Sequence, residues 1–82
     1  MKFMVEFRLN PGSKQKVIET FELVGPNRQA GVAFRNAWIG TRSDVIFVLV
    51  ESAEEALVAK AAQAWNEQGE SRIEPVLDVE QV

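Results

Sequence analysis

VIFVLV, residues 45–50, sets six apolar residues in succession within a chain of 82. A strand with one wet face alternates apolar and polar side chains, because neighbours along it point to opposite sides of the sheet. This segment does not alternate, so both of its faces call for cover. It is also far shorter than the roughly 20 apolar residues that cross a bilayer. The segment reads as a central strand, and what covers its second face decides the assembly.

Outward from it, the other elements follow by period and punctuation. Phe3, Val5, Phe7 and Leu9 alternate with Met4, Glu6 and Arg8, a period of two that marks a strand. Asn10-Pro11-Gly12-Ser13 ends it, and either Asn10 with Pro11 or Ser13 caps the helix that follows. Val17, Ile18, Phe21 and Val24 recur at helical spacing until Gly25-Pro26-Asn27 stops the helix. Residues 32–40 read as a second strand, joined through Gly40–Ser43 to the third in a hairpin. Ser52 with Glu55 forms a capping-box pattern for a second, Ala-rich helix that ends at Gly69, with a core stripe of Ala53, Leu57, Ala61, Ala64 and Trp65. Residues 71–79 make the last strand, and Pro75, which has no N–H to donate, assigns it to an edge.

The order strand, helix, strand, strand, helix, strand is that of an α+β, ferredoxin-like βαββαβ domain spanning residues 1–82. It predicts a four-stranded antiparallel sheet with both helices on one face and strands one and three in the centre. The helix side is expected to receive Phe3, Val5, Phe7, Val45, Phe47, Leu49, Ile73 and Leu77. The open side is then expected to show Met4, Ala37, Ile39, Ile46, Val48, Val50 and Val76. Burying such side chains stabilises by roughly 1.5–3 kcal/mol each. The chain has no third layer, so a homodimer through the open sheet face is the expected assembly.

Composition excludes several kinds of chemistry. With no Cys, His or Tyr, thiolate nucleophiles, imidazole proton shuttles and the usual transition-metal ligand sets are missing, and no metal or cofactor is expected. A net charge of −3, with Lys14, Lys16, Arg28, Arg35 and Arg42 scattered, argues against nucleic acid. The start MKFMVEFRLNPG reads as a strand without a signal-peptide core, so a cytoplasmic protein without membrane attachment is expected.

The candidate site residues each carry two readings. Glu6 and Arg8, with Arg72 and Glu74 alongside, form either an Arg–carboxylate pocket for an anionic ligand or plain cross-strand ion pairs. Asn36 and Trp38 share a face and offer a wall for a flat organic molecule, with Trp65 approaching; otherwise both Trp fill core and Asn36 bonds backbone. Glu51 is a candidate general base, its pKa raised by apolar surroundings, or else the wet end of its strand, bonded to backbone or an Arg.

Taken together, FMVEF at 3–7, Pro11-Gly12, Trp38, FVLVE at 47–51, Ala64-Trp65 and PVLD at 75–78 run nearly end to end. In these the chain resembles a family of short, mostly bacterial proteins, domain of unknown function 3303. The resemblance implies a subunit of the dimeric α+β barrel group. Relatives often carry His where this chain has Ile39, which puts any chemistry of that His in doubt here. The expected function is a small homodimeric protein that binds a small organic ligand. The alternative, by analogy with the barrel group, is a cofactor-free monooxygenase or isomerase acting on a small aromatic compound in a cavity between sheet and helices, with Asn36, Trp38 and Glu51 converging on it.

Overall fold

A computed structural model of the chain describes residues 1–24 and 30–82. Its elements are β1 (Lys2–Leu9), α1 (Lys14–Val24), β2 (Val32–Ile39), β3 (Val45–Ser52), α2 (Glu55–Gln63), β4 (Gly69–Val76) and a final 3-10 turn (Val79–Gln81). One antiparallel sheet holds the strands in the order β2-β3-β1-β4, so β1 and β3 are central and Pro75 lies on an edge strand. The fold is ferredoxin-like α+β.

Register decides the faces. Phe3 stands opposite Val50, Val5 opposite Val48, and Phe7 opposite Ile46. Residues directly opposite each other in an antiparallel pair share a face. Phe3, Val5 and Val50 pack with Val58 and Ala62 of α2, and Phe7 and Leu9 pack with Val17 of α1. Both helices therefore cover the side carrying Ile46, Val48 and Val50. Val45, Phe47 and Leu49 face the other way, opposite Arg8, Glu6 and Met4.

This reverses the expected division of β3. Both parities of VIFVLV are apolar, so alternation within the segment carries no information, and a slip of one residue exchanges its faces. Ala37 and Ile39, opposite Val48 and Ile46, also belong to the helix side. Met4 and Val76 remain on the open side, while Leu77 lies beyond β4 and is 68% exposed.

The barrel expectation is also corrected. The sheet is open and uncurled: its ladders join β2 to β3, β3 to β1 and β1 to β4, and none joins the two edges. At about 4.8 Å per step, edges three steps apart stand roughly 14 Å from each other.

Local details shift several boundaries. The pairing of β2 with β3 slips between Phe34 and Asn36, a bulge centred on Arg35. Val32 and Phe34 face the helices before it, whereas Asn36 and Trp38 face away after it. The expected capping box does not form. Ser52 is instead the buried last residue of β3, where its hydroxyl accepts from the Glu54 N–H at 3.3 Å and donates to the Glu54 carbonyl at 3.1 Å. Thus α2 starts later, at Glu55, and buries Val58 and Ala62, leaving Ala53 and Ala64 exposed. The helix stop at Gly25-Pro26-Asn27 and the side chains of Phe21 and Val24 lie outside the described residues.

Gly69 opens β4 opposite Leu9, and a Cβ there would collide with the Arg8 carbonyl and stand 2.8 Å from the Leu9 Cα. Both neighbours are backbone of a central strand and have little room to move. Gly69→Ala should cost roughly 1–3 kcal/mol. Thermal melts followed by circular dichroism should show a fall of about 4 °C or more. An unchanged midpoint would contradict the β1–β4 register.

Candidate functional site

Two features result from this sheet: a cavity on the helix side and a mixed surface on the open side. The cavity has a volume of about 110 Å³. Val5 and Phe7 of β1, with Ile46, Val48 and Val50 of β3, form its floor. Val32 and Phe34 bound it from the edge strand β2, and Val17 reaches in from α1. Across from the sheet, Val58, Ala61, Ala62 and Trp65 line it from α2 and the turn that follows, and part of its boundary is open. The short side chains of Ala61 and Ala62 give the space its room. Every described lining residue is apolar or an indole, so the cavity offers hydrophobic contact and no acid–base group.

The open face is built in rungs. Trp38, Phe47, Glu6 and Arg72 form one across the four strands. Asn36, Leu49, Met4 and Glu74 form the next. Beyond these, Glu51 stands opposite Lys2, and Val45 opposite Arg8, which faces Glu70. The β2–β3 half is therefore mainly apolar and the β1–β4 half mainly charged. Trp38 is 48% exposed, a large aromatic surface open to water.

Among the candidates, Glu6, Arg8, Asn36, Trp38 and Glu51 share this open face. Trp65 lines the cavity on the opposite side, so the two Trp do not approach one space. Asn36 accepts a hydrogen bond from the Ala37 N–H through its Oδ1 at 2.8 Å, which engages its carbonyl oxygen locally. Arg72 lies 3.7 Å from Glu74, both well exposed, a pair of little energetic weight. Neither Asn36 nor Glu51 nor Trp38 lines the cavity, and the constellation required for catalysis there is not assembled.

Of the two readings of Glu51, the geometry has the carboxylate bonded to an Arg. The Arg35 guanidinium, brought over it by the bulge, donates to its carboxylate at 2.6 Å. That hydrogen bond, aided by the charges of Arg35, Lys2 and the N-terminus, holds the Glu51 carboxyl below its ordinary range. A carboxylate so stabilised is a poor general base at neutral pH. Among the described residues, no group of three or more His, Cys, Asp or Glu could hold a metal ion.

A family model matches residues 1–82. The chain belongs to the domain of unknown function family DUF3303. No curated protein and no solved structure matches it. The motifs from FMVEF to PVLD thus point to the right family, while the barrel grouping implied with it does not describe this open sheet. No described helix of this DUF3303 chain is long and apolar enough to cross a membrane. The cavity lining from Val17, Val32, Phe34, Val58, Ala61 and Ala62 escapes motif reading, because each residue alone is ordinary core. The nearest available signal was the Ala61-Ala62 pair one helical turn before Trp65.

Glu51 sets a pH dependence of known sign. Its folded pKa is depressed, so the stability it contributes is present above the unfolded carboxylate value and is lost as pH falls through the folded one. NMR titration of the side-chain carboxyl should find its midpoint below the usual Glu value near 4.3. In Arg35→Ala the midpoint should move up. A wild-type midpoint above the usual value would restore the general-base reading.

Proposed function

We propose that this DUF3303 protein is a binding protein for a small organic molecule, a single domain over residues 1–82 that works as a homodimer in the cytoplasm. The carrying observation is the cavity of about 110 Å³ whose described walls are all apolar or indole. A natural core packs closely, and an unfilled space forfeits contacts that an occupant would restore. The candidate proton-transfer groups Glu51 and Asn36 lie on the far side of the sheet, which favours binding over an oxygenase or isomerase role.

The dimer is supported by the open face. Met4, Val45, Phe47 and Leu49, each half-buried, and the exposed Trp38 form its apolar part, and covering their remaining apolar surface is favourable in proportion to its area. Its basic residues Lys2, Arg8, Arg35 and Arg72 are matched by the acidic Glu6, Glu51, Glu70 and Glu74. Lys2 also pairs with Asp78 at 3.2 Å, and Arg35 with Glu51 at 2.6 Å. A second copy therefore meets charges of both signs on this face. The interface so defined uses the Phe47 side of β3.

Two measurements test the proposal. Under xenon pressure, methyl resonances of Val48, Val50 and Val58 should shift while Leu49 stays still, and Ala62→Leu should remove the response. Absent or uniform shifts would overturn the cavity as a binding site. In light scattering, the wild type should have the mass of a dimer, and Phe47→Glu should have the mass of a monomer with native ellipticity. A wild-type monomer at tens of micromolar would overturn the assembly.

A further inference from the structure

We infer that the cavity selects a neutral, hydrocarbon-rich molecule of about six to nine non-hydrogen atoms, compact or flat, such as a benzene derivative or a short branched hydrocarbon. The inference rests on the binding reading above and names the class of ligand.

Charge is disfavoured along the described walls. Val48, Val50, Val58 and Ala62 line the space with carbon, and no described lining residue is ionisable. A carboxylate or ammonium held against these residues would lose hydration and meet no counter-charge among the described lining. A ligand rich in hydroxyls or amides would likewise leave its polar groups unsatisfied.

Size is limited by the volume. An engineered core cavity of about 150 Å³ lined by aliphatic and aromatic side chains stays dry and accepts benzene. The present space, about 110 Å³ with similar walls but open along part of its boundary, falls just below that, so a single ring with little substitution fits with minor adjustment of its lining. Only part of a long acyl chain would find cover in it. Phe7, Phe34 and Trp65 provide aromatic surfaces on three different elements, β1, β2 and the segment after α2. Such surfaces favour a flat, polarisable guest through offset or edge contacts.

The experiment titrates the full chain with toluene, benzoate and 1-decanol, following the methyls of Val48 and Val58 and the indole resonance of Trp65. Toluene should bind saturably, with shifts confined to these lining groups. Benzoate, the same ring carrying a charge, and 1-decanol, neutral but long, should each bind at least tenfold more weakly. Ala62→Leu should weaken toluene at least tenfold while leaving the circular dichroism spectrum unchanged. Benzoate binding as tightly as toluene would overturn the charge selection, and 1-decanol binding more tightly would overturn the size limit. Either result leaves the binding reading standing, as would xenon shifts in the absence of any toluene response, which overturn the ligand class alone. Silence from all three probes and from xenon would remove the binding reading itself.

Discussion

The ladder between β1 and β3 governs the rest of this molecule. Once Val5 stands opposite Val48, the whole row Ile46, Val48 and Val50 is committed to the helices, and Val45, Phe47 and Leu49 to the other side. Two further consequences follow. The floor of the cavity comes from the first row, and the apolar part of the open face comes from the second. A strand greasy on both sides thus serves a helix-side pocket and an open sheet surface at once, and one register fixes both.

The two surfaces differ in what they can do. On the helix side the described walls are carbon and indole, which suits retention of an apolar guest and offers nothing to move a proton. On the open side, polar groups are plentiful but already engaged or exposed. Glu51 is held by Arg35, and Asn36 by the Ala37 backbone. The bulge at Arg35 contributes to both surfaces, since it turns Phe34 toward the helices and Trp38 away from them. Without that extra residue, the simple alternation of β2 would place these two rings on one face.

Much of the fold was legible in the sequence for identifiable reasons. Alternation in FMVEFRL, helical spacing around Val17, and Pro75 near the chain's end specified elements that the structure contains, in the expected sheet order. The facing of β3 was not legible, because both parities of its core are apolar. Glu51 carried a clue: it shares parity with Val45, Phe47 and Leu49, and an ionised end residue belongs on the wetter side. The capping-box reading of Ser52 failed because a buried strand end used that hydroxyl first. The bulge left no mark in VAFRNAWI, and the cavity is a property of packed volumes that no residue pattern states. The barrel came from resemblance alone, and the open sheet corrects it.

The most direct test of the two-sided β3 is methyl relaxation by a soluble paramagnetic agent, compared across β3 over a range of protein concentrations. Val50, buried beneath the helices, should stay protected at every concentration. Leu49 and Val45 should be protected only in concentrated samples and become relaxed on dilution, as the second copy leaves. Strong relaxation of Leu49 and Val45 in concentrated samples would show that nothing covers that face, and relaxation of Val50 in their place would show that the register is wrong.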